Sequence, residues 1–458
     1  MDTNSAEWVD NDKQNPRNWS TSKKWCVTMI LSVLPFCSSF ASSVFSSATA
    51  AAAAEFSVSE EIMVLGSSLF VLGFALGPVI WGPLSELYGR KTPLFIGIFV
   101  SALFQIPVAV AHNVETILVC RFLGGVFGCS PMAIFGGFLA DIWDSVERGV
   151  ALCSFAGATF IGPLAGPIVG TFLTTSSLGW RWTEWLTLIL FAVFGTIAWI
   201  TVPETYAPVI LSRRAPRAHT PLVERRIDVR AIFVIYILRP FKMLLWEPIL
   251  LLLTVYLAFI YGILYLWFFS YPIAFHQERG WSERLSSLPF LAIIIGIALG
   301  CGYIVLDTST RYARKMKKFG SVSPEERLPP MIVGAILLPV GFFWFAWTSN
   351  REIIWVPQVL AGIPTGAGVF IIFIQGLNYI IDVYLMHANS ALAGNGLIRS
   401  IFGAAFPLFA NALYRGLGIP WATSLLGFIS LAMVPVPVLF WFYGNKIRGW
   451  SKMSVNKM

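Results

Sequence analysis

The chain has 458 residues, of which 12% are charged and 56% apolar, and it carries a formal net charge of +8. A soluble protein holds about 25% charged residues, and at half that share this one would offer water large apolar patches. Together with a mean hydropathy of +0.72, this identifies an integral membrane protein and excludes a disordered chain, a disulfide scaffold and a nucleic-acid module.

The first 24 residues are polar and lack the short apolar core of a signal peptide, so the run from Trp25 is expected to stay as an uncleaved first span. A bilayer core of about 30 Å takes about 20 apolar residues per helix. That ruler yields twelve spans: 25–48, 62–83, 92–111, 117–140, 149–173, 183–202, 247–272, 286–306, 330–348, 353–381, 389–411 and 419–443. The tenth is overlong and interrupted by Gly362, Pro364, Gly366 and Gly368, which predicts a bent helix. Between spans six and seven, 203–245 contains Arg213, Arg214, Arg217, Arg225, Arg226 and Arg230 among prolines. This reads as a linker with a short amphipathic helix lying on anionic lipid. The chain then divides into a tail (1–24), a six-helix bundle (25–202), the linker, a second six-helix bundle (246–443) and a tail (444–458).

Lysine and arginine set the orientation. Of 32 such residues, 25 fall in tails and loops on one side. Five fall on the other (Arg181, Arg279, Arg284, Arg351 and Arg415), while Arg121 and Arg399 lie within spans. The asymmetry places both tails in the cytoplasm and accounts for the basic balance without an acidic partner. The six cysteines stand in apolar stretches with no CxxC pair, and read as small core residues rather than metal ligands or disulfides. No HxxxH, HExxH or GxSxG arrangement is present, so neither an enzyme, a metal nor a cofactor is expected.

The halves resemble each other. Aligning 139–155 with the segment around 379–395 pairs Asp141 with Asp382, an offset of 241, and LGWRW (178–182) aligns with LGIPW (417–421) at 239. Parallel repeats of this kind belong to transporters, with the binding site between the halves.

Loop 2–3 reads GPLSELYGRK (82–91), which resembles the signature of the major facilitator superfamily. Its spacing puts a turn at Gly89, and Glu86 four residues before Arg90, with Lys91 next. Glu86 and Arg90 are expected to pair and to latch one conformation. GATFIGPLAGPIVG (157–170) is similar to the antiporter motif of drug-exporting members, matching at Gly157, Gly162, Pro163 and Gly166, with Pro167 where that motif ends in glycine. Arg121 and Gly125 resemble a third motif loosely. NPRNWS (15–20), PETYAPVIL (203–211), 247–275 and 389–410 are similar to the fungal branch of the twelve-span drug:H+ antiporters. The resemblance implies an all-α major facilitator fold of two pseudo-symmetric six-helix bundles. It further implies export of hydrophobic or cationic small molecules, drugs or secondary metabolites, in exchange for protons by alternating access. A monomer in the plasma membrane is expected, the vacuolar membrane being the alternative. A facilitator or importer of the same fold without proton coupling is the competing reading.

Polar groups inside spans are the candidates for function. Arg399 stands near mid-bilayer on span eleven, with Asn395 one turn before it. Gln375 and Asn378 share a face of span ten, Tyr261, Tyr265 and Phe268 a face of span seven, and Ser39 and Ser43 a face of span one. The resemblance assigns the cavity lining to spans 1, 4, 7 and 10, making these residues substrate-binding candidates. No acid is found near the middle of a span: Glu86, Asp141, Glu204, Glu247, Asp307 and Asp382 stand at cytoplasmic ends and Glu55 at an outer end. Proton coupling therefore rests on the resemblance, with Arg121, Asp382 and Arg399 as candidates for coupling or gating.

Overall fold

The computed structural model describes residues 12–214, 234, 238–320, 322–451 and 453, and all regular structure among them is helical. We label the membrane-crossing helices α1 (Thr21–Val44), α2 (Glu60–Tyr88), α3 (Lys91–Ala109), α4 (Val114–Ile142), α5 (Ser145–Thr174) and α6 (Trp182–Thr201). In the second half come α7 (Pro248–Pro272), α8 (Phe290–Asp307), α9 (Leu328–Trp347) and α10 (Gly362–Tyr384). The remaining helical stretch, Ala388–Arg448, is 61 residues long. At about 1.5 Å per residue it would measure about 90 Å, three times a bilayer core. Gly418, at φ 72 and ψ 163, breaks it into α11 (388–417) and α12 (419–448). Twelve passes result, as expected from the sequence.

Successive passes alternate in direction, so the start of α1 and the end of α12 share one side, here the terminal side; the opposite side is the far side. The expected bend in span ten is a joint at Ala361, between a short helix Trp355–Leu360 and α10. α4 has a similar joint at Cys129. An element not foreseen is the helix Thr49–Phe56 on the far side, ended by Ser57 at φ 55. Its Glu55 receives Arg181 at 2.6 Å and Trp180 Nε1 at 2.8 Å, and the Arg181 hydrogen bond holds the carboxyl below its usual range.

In the expected linker the described α-helices are Ala207–Arg214 and Arg239–Trp246. The second buries Pro240, Met243 and Leu244 against the bundle and leaves Phe241, Leu245 and Trp246, which are also apolar, exposed. Arg217, Arg225, Arg226 and Arg230 lie outside the described residues.

Two apolar clusters lie within the first half, and a third, centred on α7–α12, reaches across to Val64 and Val71 of α2 and Phe160 and Leu164 of α5. The seam between halves is made by α2 against α11 and α5 against α8.

Candidate translocation cavity

Between the halves lies a cavity of about 230 Å³. It extends from Tyr261, Phe373 and Arg399, each near the middle of its helix, to Ser85, Glu86 and Asn389 at the terminal side. Helices α2, α4 and α5 supply one wall, α7, α10 and α11 the other. α1 contributes nothing to this lining, and α7 contributes only Tyr261.

Five substrate-binding and coupling candidates thus line the cavity: Tyr261, Asn395 and Arg399 toward its centre, Glu86 and Arg90 toward the terminal side. Tyr265 lies a turn farther along α7, where its hydroxyl is 2.7 Å from Ser42 Oγ of α1, a contact that joins the halves toward the far side. Phe268 packs on Tyr265 and on Phe290. Gln375 and Asn378 are buried on α10, but the cavity stripe is Phe373, Ile374, Leu377 and Ile381. At 3.6 residues per turn, Gln375 leaves the helix about 145° from the centre of that stripe and Asn378 about 85° from it.

Ser39 and Ser43 face α5 instead. A Cβ added at Gly162 would strike the Ser39 hydroxyl, at Gly166 that of Ser43, and at Gly170 that of Ser47. Their hydroxyls are turned back onto their own helix, Ser39 to Pro35 O at 2.7 Å and Ser43 to Phe40 O at 3.2 Å. The serine stripe and the antiporter-like motif are therefore two sides of one tight helix contact, with Pro163 buried beside it. Small residues permit such approach.

Arg399 is held by aromatic rings. Its guanidinium carbon is 4.9 Å from the Tyr261 ring centre and 5.0 Å from that of Phe373. Contacts of this type are worth about 0.5–2 kcal/mol each. Its Nε is buried without a hydrogen-bond acceptor, and among the described residues no carboxylate forms an ion pair with it. One turn away, Asn395 donates to Thr254 Oγ1 at 3.4 Å while its Oδ1 has no partner.

At the terminal side the expected Glu86–Arg90 latch is replaced by another pairing. α2 ends at Tyr88, and Gly89, at φ 91, turns the chain so that Arg90 no longer follows the helical register that an i, i+4 pair needs. Arg90 Nε meets Asp141 at the end of α4 at 3.2 Å, its Nη1 donates to Ser85 at 3.1 Å, and its guanidinium lies over Tyr206. Glu86 instead accepts from Asn389 of α11 at 3.4 Å, across the seam. Glu204 accepts from the backbone N–H groups of Arg90 (2.9 Å) and Lys91 (3.1 Å), and from those of Thr205 and Tyr206 (2.9 Å each). It thereby caps α3 and draws two of the sequence motifs together. The second half repeats the device: Asp382 ends α10 and pairs at 2.9 Å with Arg327, whose guanidinium lies over Tyr312. Asp141 and Asp382, aligned by sequence offset, thus hold equivalent places. Asp382 lies at the end of its helix, against Arg327, and Arg399 makes no bond to it.

Arg121 is fully buried on α4 and pairs with Glu184 of α6 at 3.3 Å. It also donates to Ala41 O, Ser42 O and Gly66 O at 3.0–3.3 Å, and Phe45 and Phe70 cover it. One guanidinium thereby ties α1, α2, α4 and α6 together. Glu184 is the acid that the search for span carboxylates passes over. It stands in the third position of α6, close to a Trp-rich end, and its second oxygen has no partner. Its signal was available, since WRWTEWL is the only place where an acid enters that apolar run. Glu204 was legible only as a terminal charge, because the two partners that tie it to α3 are backbone groups 113 and 114 residues away.

Residues 31–385 match the family model of the Major Facilitator Superfamily. The chain is 53% identical to the citrinin biosynthesis cluster transporter of Monascus ruber, covering 99% of this chain and 93% of that one. It is 53% identical to the ascochitine biosynthesis cluster transporter of Didymella fabae (99% and 90%) and 42% identical to the cercosporin transporter of Cercospora nicotianae (98% and 89%). Among solved structures it superposes on a proton:xylose symporter with a TM-score of 0.65 at 17% identity, covering 93% of this chain and 96% of that one. A human organic anion transporter superposes with a TM-score of 0.62 at 15% identity (92% and 100%). Fold, sequence and seam agree: this chain belongs to the major facilitator superfamily of membrane transporters.

Proposed function

We propose that this protein exports a small, largely apolar secondary metabolite, in exchange for protons, by alternating access of the two bundles around the central cavity. The observation that carries the reading is a cavity between the halves, walled mainly by aromatic and aliphatic side chains, in a chain 53% identical to transporters of fungal biosynthetic clusters. With the tails cytoplasmic, as the lysine and arginine distribution favours, the cavity extends toward the cytosol, where a newly made metabolite arrives. Proton exchange draws support from the Arg121–Glu184 pair, since a carboxylate buried against a guanidinium can release it on protonation. The fungal plasma membrane is the site of action.

The test compares extracellular metabolites of cells with and without the gene, and repeats the comparison with a protonophore. Loss of at least one compound from the medium on deletion, and its retention in cells when the proton gradient is collapsed, is expected. Identical media from both strains would overturn export. Unchanged efflux with the protonophore would reduce the protein to a facilitator.

A further inference from the structure

The geometry points to an anionic cargo: an aromatic or other planar apolar molecule bearing a carboxylate or phenolate that pairs with Arg399. This rests on the reading of the cavity as the translocation path, and it reverses the expectation of a cationic cargo.

The ionic groups of the cavity are Glu86, Arg90 and Arg399. Arg90 is committed to Asp141 and Ser85. Glu86 stands at the terminal mouth beside Asn389, and Asn389 lies ten residues from Arg399 along α11, about 15 Å. The centre of the cavity therefore carries one positive charge and no counter-charge among the described residues. That charge is a guanidinium, a planar set of N–H donors with no acceptor of its own. It is set among apolar walls, where water screens poorly and charge interactions strengthen.

What Arg399 has and what it lacks define the ligand. Tyr261 and Phe373 lie against the guanidinium, so its contacts are to rings, while Nε has no acceptor. A planar fork of N–H donors fits a carboxylate through two parallel hydrogen bonds. Tyr261, Phe373 and Phe160 offer faces and edges on which an aromatic body can pack. A cationic cargo would meet like charge in the same confined space, and a neutral one would leave the guanidinium unpaired.

The test uses the full chain, purified and placed in lipid nanodiscs, with three probes of similar shape: 2-naphthoate, 2-naphthamide and 2-naphthylmethylammonium. Binding is measured by calorimetry. The wild type is expected to prefer the carboxylate at least tenfold over both others. Arg399→Gln should bring the three within about twofold, while Arg399→Lys keeps the order. Melting curves of each variant verify that the fold persists, and the wild-type order of preference needs no variant. If the wild type takes the amide or the ammonium as well as the carboxylate, or if Arg399→Gln keeps the preference, the anionic assignment is overturned while export stands. If no naphthyl probe binds and deletion leaves the medium unchanged, both fall.

Discussion

Glu204 shows how much one side chain can organise at the end of a bundle. Its carboxylate accepts four backbone N–H groups, two of them at the start of α3, where the helix otherwise leaves donors without acceptors. Hydrogen bonds to a charged acceptor are worth about 1.5–3 kcal/mol each when buried, and this site is half-buried. Glu204→Ala should therefore cost about 2 kcal/mol of stability, read as a fall of several degrees in melting temperature in detergent. Gly89→Ala should weaken the same corner, since its left-handed φ of 91 is unfavourable for alanine and the new Cβ would strike Glu204. The Arg121–Glu184 pair obeys a different rule. Removing one partner of a buried ion pair costs about 3–5 kcal/mol because a lone charge remains, whereas replacing both is often tolerated. Arg121→Met should lower the yield of folded protein, and the double variant Arg121→Met/Glu184→Met should recover most of it. If the pair also carries the proton, the recovered protein should equilibrate cargo but no longer concentrate it against a gradient. A double variant no better expressed than the single one would show that the carbonyl contacts of Arg121, not the charge, dominate.

Helix by helix, the spans were legible because each is an apolar run of bilayer length, and the bend in span ten because glycine and proline interrupt it. Which face of a helix meets what was less legible. The stripe Ser39–Ser43–Ser47 and the stripe Gly162–Gly166–Gly170 both follow helical periodicity, but only the fold shows that they meet. A serine stripe facing a cavity and one facing a glycine groove have the same sequence. The same ambiguity hid Arg90, whose partner is decided by a positive φ at Gly89 rather than by spacing. Two substitutions separate packing from binding on α1. Gly166→Val should force α1 from α5 and lower the melting temperature sharply, because the backbone nitrogen of Val44 stands 2.8 Å and the carbonyl carbon of Ser43 3.1 Å from the new Cβ. Ser43→Ala removes a hydroxyl bonded only to its own helix, so transport and stability should stay near wild type, within about 0.5 kcal/mol. Loss of cargo binding in Ser43→Ala at normal stability would instead assign α1 to the cavity.

At the scale of the molecule, the halves are tied toward the far side by Ser42–Tyr265 and by Arg284, which donates to Thr175 at 2.7–2.8 Å. On the terminal side the cavity reaches the helix ends, and Asn389 and Glu86 meet across its rim at 3.4 Å. The repeated corners, Arg90–Asp141 and Arg327–Asp382, stiffen each bundle internally. This arrangement suits two rigid bodies moving about a seam, as alternating access requires. The α5–α8 seam supplies its own probe. Cys153 on α5 and Cys301 on α8 are both free, and Cys301 Sγ lies 3.9 Å from the carbonyl oxygen of Cys153. A membrane-permeant oxidant such as copper–phenanthroline should join the two thiols and fix the halves in this conformation. Cleavage in the linker would then leave the two halves on one band in a non-reducing gel. Transport should fall at least tenfold and return on reduction with dithiothreitol, while Cys153→Ser and Cys301→Ser should be unaffected by the oxidant. A chain fully crosslinked at this seam that still transports at the wild-type rate would falsify rocking of the bundles there, and would confine the conformational change to the cavity side chains themselves.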